Sequence, residues 1–384
     1  MQRKKDDRLL LSMVTLFWFA QYVFVPFFSP HLTALGISAS LAGVIMGAYG
    51  VSQLILRIPV SVGEDISGRH KAFVVSGLLV MMTASVIPLL FASSLAYLLS
   101  RTLAGVAAST WVSYTAAFTQ GAQDVKQRMG RLIAANNLGV LLSYLTGAVM
   151  FERVGINGLF VLSAVSALCA LILALRWRPE RICADRKFDR EAFVQVITNR
   201  HLIVCSLMMA LGQTVVYATS STFVSNYAKT MGADSAMLSV IAAAFNALGV
   251  ATSWAYARGA LQKLTERAQM LLAFCILALY CGLLPLCAAP WQIALAQMVG
   301  GVGRSILYTL LMAIAPREVP AHAKTTANGV FQSVYSLGLS AGPVIMGSLL
   351  DFSGSYAFSF LMMGTAALGG AGWTLLAFGR RKKD

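Results

Sequence analysis

Charge is what this sequence has least of. Only 12% of its 384 residues are Asp, Glu, Lys or Arg, and 15 acidic residues stand against 30 basic ones. A soluble domain needs more charge than this to cover its surface, so a soluble enzyme is the first class excluded. Paired cysteines are missing as well. Of Cys169, Cys183, Cys205, Cys275, Cys281 and Cys287, none forms a CxxC pair and five lie in apolar runs. They read as small apolar residues, with no disulfide or metal implied. HExxH, GxSxG and zinc spacings are absent too, which removes the common hydrolase and metalloenzyme signatures. The run GGVGRS at Gly300–Ser305 has the outline of a phosphate loop but lacks the lysine. It lies inside an apolar stretch, where small residues signal close helix packing. No small-residue cleavage site follows the N-terminal MQRKKDDR, so the first apolar run reads as an uncleaved span.

What is present is apolar length. Hydrophobic residues make up 58% of the chain, in runs of about 20, which is the length that crosses a bilayer as helix. A sliding window places twelve spans at roughly 9–30, 39–61, 72–92, 94–116, 132–151, 155–176, 202–226, 236–257, 268–288, 291–314, 325–350 and 355–378. An even number puts both termini on one side. The N-terminus, the loops after spans 2, 4, 6, 8 and 10, and the C-terminus hold 26 of the 30 Lys and Arg. The opposite loops hold only Arg153 and Lys229, while Arg101 and Arg304 fall inside spans. This asymmetry predicts cytoplasmic termini. It also speaks against nucleic-acid binding, since the basic residues form no continuous stripe. The longest polar segment, Arg176 to His201, divides six spans from six and reads as a cytoplasmic linker with a short surface helix near Asp189–Ile197.

The halves repeat weakly. At an offset of 196, Phe27, Ser29 and Gly36 face Phe223, Ser225 and Gly232, and Gly105, Val106 and Ser109 face Gly301, Val302 and Ser305. At an offset of 199, Glu152 and Gly155 face Asp351 and Gly354. In-order matches of this kind suggest two parallel six-helix repeats.

Between spans 2 and 3 stand Ser61, Asp65, Gly68, Arg69, His70 and Lys71. Span 4 carries Arg101 and Gly105. Span 5 carries Gly139, Ser143, Tyr144 and Gly147 without a proline, and span 11 carries Gly338, Gly342, Pro343 and Gly347. With these residues the chain resembles the major facilitator superfamily over its whole length, loosely its drug-efflux branch. Ser61 stands where the family's first signature has glycine. The resemblance implies an all-α membrane protein of twelve transmembrane helices in two pseudo-symmetric six-helix bundles, residues 1–176 and 201–384, joined by a linker at 177–200. It further implies that spans 1, 4, 7 and 10 line a central cavity, and that the bundles rock to open it to either side alternately. Ser61, Asp65, Gly68, Arg69 and Lys71 would then form a gating segment, with Asp65 facing the start of span 11. Gly105, Gly338, Gly342, Pro343 and Gly347 would let helices pack closely.

Within that frame the polar residues inside spans become candidates. Arginine in hydrocarbon is costly and should face water, a partner or substrate. Arg101 and Arg304 are expected on equivalent faces of spans 4 and 10, Arg304 near mid-membrane and Arg101 nearer the outside. Each is weighed between structure and an anion's grip. Gln213, Tyr217 and Ser220 share one face of span 7, and the repeat sets Phe17 and Gln21 of span 1 opposite Gln213 and Tyr217. Trp111, Tyr114, Tyr308, and Asn328, Gln332 and Tyr335 of span 11 complete an aromatic and amide set. It reads either as cavity lining or as helix–helix glue. Asn136, Asn137 and Asn246 read as glue. None of the acids lies at the centre of a span. Glu152 and Asp351 are expected to be exposed at outer span ends, and His70 and His322 to lie in loops, so a coupling proton has no obvious carrier. The expected protein is a monomeric secondary transporter of a bacterial inner membrane with no cofactor. Its expected partners are the bilayer and a small organic, anionic or amphipathic substrate that it exports. An uptake permease for an organic acid or sugar, and a non-transporting sensor, are the alternatives.

Overall fold

The computed structural model describes residues 2–119, 125–178, 190–261, 263–320 and 323–378. Among them every regular element is helical. Ten helical runs are long and apolar enough to cross a membrane. Two further facts raise the number of crossings to twelve.

The first concerns α7, Val125–Arg176. Its 52 residues would reach about 75 Å if straight, over twice the apolar thickness of a bilayer. It is instead a hairpin that reverses at Gly155, whose φ of 63° and ψ of −168° are not helical. Contacts with α1 (Gln2–Tyr22) trace the reversal. Ala135 accepts a hydrogen bond from Thr15, and Gly147 packs on Val23. Beyond the turn, Ser163 donates to the Ala20 carbonyl and Ser166 to that of Leu16. The contacts climb α1 and then descend it. The second fact is that the fourth crossing is broken at Thr110 into α5 (Ser94–Ser109) and α6 (Trp111–Thr119), each too short alone. The Thr110 hydroxyl bonds back to the Ala107 carbonyl at 2.7 Å, a competition for backbone acceptors typical of helix ends.

The crossings are thus α1 with α2 (Val25–Ala34); α3 (Ala39–Ser67); α4 (His70–Leu90); α5 with α6; and the two arms of α7. After the short helix α8 (Arg190–Thr198) come α9 (Arg200–Ala218) with α10 (Val224–Thr230); α11 (Ser235–Ala257); α12 (Glu266–Leu283); α13 (Pro290–Ile314); α14 (Lys324–Ser353); and α15 (Tyr356–Ala377). They are numbered spans 1 to 12 below. Both termini lie on one face, the terminal face; the other is the distal face. Helices satisfy every backbone group within the segment, as a bilayer demands. α8 lies within two residues of the expected surface helix and buries Val196. Residues 179–189 of the expected linker, with Cys183, and His322 lie outside the described residues.

Two seams join the bundles. Spans 2 and 11 touch along their whole length, because glycine lets their backbones meet. A Cβ on Gly43 would collide with the Pro343 carbonyl, and one on Gly347 with that of Ala39. Spans 5 and 8 meet in their distal halves, where Ser235 donates to Glu152 at 2.5 Å.

Candidate functional site

Two crossings are interrupted near mid-membrane, at positions the repeat relates. Span 1 breaks after Tyr22, because Pro26 has no N–H to give to the Tyr22 carbonyl four residues back. Span 7 widens into a π turn at Thr219–Phe223, where the Thr222 hydroxyl reaches the Tyr217 carbonyl at 2.8 Å. Such turns gather at functional sites, and paired interruptions in the two halves mark binding sites in transporters.

Between the interruptions lies a small cavity of about 10 Å³, lined by Gln21, Tyr22, Val25, Tyr49, Arg101, Tyr217 and Ser221. It has room for about one water. Gln21 pairs with Tyr217 and Val25 with Ser221, each 196 residues apart. Arg101 is the centre of the site and is 1% exposed. One of its terminal nitrogens donates to the Tyr217 hydroxyl at 2.9 Å, across the bundle boundary. Its guanidinium lies 4.7 Å from the Tyr49 ring centre and 6.0 Å from that of Phe24. Tyr49 in turn stacks on Tyr217 at 6.1 Å. Nε and Nη1 of Arg101 are buried without a partner, and among the described residues no carboxylate pairs with it. Gln21 donates to the Ala104 carbonyl at 2.8 Å and leaves its amide oxygen unbonded. Phenols and rings therefore hold the cation, and none of them neutralises it.

Of the residues singled out by sequence, the cavity gathers Gln21, Arg101 and Tyr217. Ser221 replaces Ser220, since the π turn adds a residue and shifts the register by one. Trp111 and Tyr114 sit instead in an aromatic layer inside the first bundle, at 5.5 Å from Trp18 and 5.6 Å from Phe17 respectively. Gln213 is buried one turn from Tyr217 but does not line the cavity. Arg304 is half-buried and lies 6.0 Å from the Phe245 ring. Tyr308 meets Tyr335 at 6.3 Å.

Arg57 corrects the sequence reading. It was counted with the loop charges, yet it is 4% exposed inside the seam between spans 2 and 11. It donates to the Tyr335 hydroxyl at 2.9 Å and to the Gln332 carbonyl at 3.3 Å. Gln332 thus serves this seam through its carbonyl, and its amide oxygen is unpartnered. Tyr22 and Tyr49 at the cavity and Arg57 in the seam are the positions the sequence does not single out. A tyrosine within an apolar run gives no periodic signal, and Arg57 lay close enough to a span end to pass for a flank.

His70 is likewise corrected. It is the first residue of α4 and is buried, bonded through Nδ1 to the equally buried Glu64, whose other oxygen accepts from Ser113 at 2.8 Å. Ser61 is buried, and a Cβ on Gly329 of span 11 would lie 3.5 Å from its hydroxyl. Gly68 is left-handed and Arg69 is exposed. Lys71 caps the end of span 6, 2.8 Å from the Leu175 carbonyl and 2.7 Å from that of Trp177. The Asp65 side chain lies outside the described residues. At Gly105, Gly338 and Gly342 a Cβ would strike the carbonyls of Tyr49, Ala210 and Thr214, so helix backbones approach closely there.

Glu152 and Asp351 are exposed as expected, but each has a partner. Asp351 accepts from the backbone N–H of Ala39 and Ser40 at 3.0 and 2.8 Å. Asn226 donates to Thr33 at 2.7 Å nearby. These contacts close the distal face.

A family model described as Major Facilitator Superfamily matches residues 10–343 and 259–384. The inner membrane transport protein YajR of Escherichia coli (strain K12) is 24% identical over 355 residues, which cover 86% of this chain and 74% of that protein. Among solved structures, a variant of the nucleoside transporter NupG aligns with a TM-score of 0.80 at 12% identity, covering 97% of this chain and 100% of that one. The human organic anion transporter MFSD10 (TETRAN) aligns with a TM-score of 0.73 at 16% identity, covering 97% and 100%.

Proposed function

Because the chain belongs to the Major Facilitator Superfamily, and is therefore a multi-pass secondary transporter of a small molecule by alternating access rather than an enzyme, we propose that its substrate is a small organic anion and that it is exported. The observation that carries the reading is Arg101, a buried guanidinium with two unpartnered nitrogens at the cavity. A carboxylate or phosphate oxygen accepts a charge-assisted hydrogen bond from such a nitrogen and offsets the buried charge, which a neutral acceptor does not. Tyr22, Tyr49 and Tyr217 supply rings for stacking and hydroxyls for orientation. The fold alone does not choose, since structures this similar include a nucleoside transporter and an organic anion transporter.

In this reading residues 1–176 and 201–384 are the moving halves, with 177–200 as their tether. The terminal face is cytoplasmic, following its basic residues. The segment with Ser61, Asp65, Gly68, Arg69 and Lys71 gates that face. The outward direction rests only on the loose likeness of the chain to the drug-efflux branch.

Flux of labelled organic anions in proteoliposomes, measured in both directions with and without a pH gradient, tests the proposal. Arg101→Ala should lower kcat/KM for an anion about 10- to 100-fold, the worth of one or two hydrogen bonds to a charged group. Unchanged anion flux in Arg101→Ala overturns the anion reading. Net uptake by cells without an efflux phenotype overturns the direction and leaves an uptake permease.

A further inference from the structure

The distal ends of spans 5 and 11 carry the two carboxylates that the repeat pairs, Glu152 and Asp351. Each stands three residues before a left-handed glycine, Gly155 and Gly354, both with φ near 63°, where the chain turns into the next span. Each reaches into the opposite bundle, and each meets the first turn of a repeat-related span.

Asp351 meets span 2. A helix leaves its first four N–H groups without intrahelical partners and carries a partial positive charge there. In span 2 these amides are divided between the bundles. Ser38 caps its own helix, its hydroxyl accepting from Leu41 and its carbonyl from Ala42. Ala39 and Ser40 give their N–H to the two oxygens of Asp351. Half of the helix start is thus completed only when the second bundle is against it. Glu152 meets the start of span 8 through a side chain instead. Asp234 caps Met237 at 2.7 Å, and the next residue, Ser235, donates its hydroxyl to Glu152. Ser38 and Ala39 correspond to Asp234 and Ser235 at the 196 offset. The two contacts are therefore one device used twice, by amides in one copy and by a hydroxyl in the other.

We propose that Asp351 and Glu152 are the distal gate of the transport cycle: a repeat-related pair of carboxylates, each bonded to the first turn of a helix in the opposite bundle when that face closes and released to water when it opens. The gate is independent of which molecule is carried. Its strength suits a step that must reverse in every cycle. Both carboxylates are exposed, so water competes for them, and a charge at a helix N-terminus in water shifts an equilibrium only about 2- to 5-fold. Asp351, with two amides against the full positive end of a helix, is the stronger half.

The test places spin labels on Phe91→Cys of the first bundle and Leu286→Cys of the second, both exposed at the distal face, in full-length protein lacking its other cysteines, in lipid nanodiscs. Distance distributions then report the ratio of distal-open to distal-closed molecules. Asp351→Asn should raise that ratio about 3- to 5-fold, and Glu152→Gln about 2-fold, with the double variant near the product. Asp351→Glu should restore part of the closed population. Thermal unfolding is followed in parallel, because a cap serving only its helix changes stability and leaves the ratio alone. A ratio unchanged in both Asp351→Asn and Asp351→Ala overturns the proposal, whether or not stability falls. So does a shift toward the closed form.

Discussion

Arg101, Arg57 and Glu64 are all buried charges, and their partners decide what each one does. Arg57 spends its hydrogen bonds on the opposite bundle, at Tyr335 and Gln332. Arg101 has a single phenol and two idle nitrogens, an arrangement that keeps donors unused at the cavity. Glu64 is fully engaged, by His70 on one oxygen and Ser113 on the other. Its place six residues before His70 brackets the left-handed turn at Gly68, so the pair staples spans 2 and 3 and ties both to span 4. Removing one member of a buried hydrogen-bonded pair strands the other. Glu64→Ala should therefore cost about 3 kcal/mol of stability, and Ser113→Ala, which deletes one hydrogen bond, about 1 kcal/mol. Denaturant or thermal unfolding in detergent measures both, and equal losses for the two variants would contradict this account. At this scale the sequence was only partly legible. Arg101 declared itself by lying deep in an apolar run. His70 sat in what looked like a loop, and nothing in its neighbours signals that the helix begins on it.

At the scale of the element, twelve crossings could be read to within several residues at their ends, because apolar length and flanking charge are set by the bilayer itself. The interruptions could not. The breaks at Tyr22 and Thr219 depend on local bonding, and a window averages that away. The signals existed even so, as Pro26 in span 1 and the hydroxyl run Thr219–Thr222 in span 7. Because the π turn adds a residue, helical spacing from Gln213 led to Ser220, while Ser221 meets the cavity. The interruption in span 1 has its own test. Pro26→Ala returns an N–H that can bond the Tyr22 carbonyl and straighten the helix, drawing Tyr22 and Val25 off the site. Thermal stability should hold or rise, while flux of the transported substrate falls about tenfold. Lost stability with normal flux would mean that the break serves packing alone.

At the scale of the whole molecule, glycines fall into two classes by what lies opposite, although nothing local distinguishes them. Gly105 faces Tyr49 and Ser52 within its own bundle, whereas Gly43 faces the Pro343 backbone across the boundary. An added methyl in a packed interface costs about 1–3 kcal/mol. At Gly105 the bundle has no second arrangement in which to escape that cost, so Gly105→Ala should lower the unfolding temperature. At Gly43 the cost falls only on the state in which the distal halves of spans 2 and 11 touch, and opening relieves it. Gly43→Ala should then keep its unfolding temperature and move the population toward the distal-open form, about tenfold for each 1.4 kcal/mol. Labelling of Ser221→Cys, at the cavity, by a membrane-impermeant thiol reagent from the distal side reads that population in protein lacking its other cysteines. Faster labelling in the Gly43→Ala background, and an unchanged rate in the Gly105→Ala background, is the expected pair of results. Equal effects of the two variants on labelling and on stability would show that the seam between spans 2 and 11 is fixed packing rather than a contact remade in each cycle.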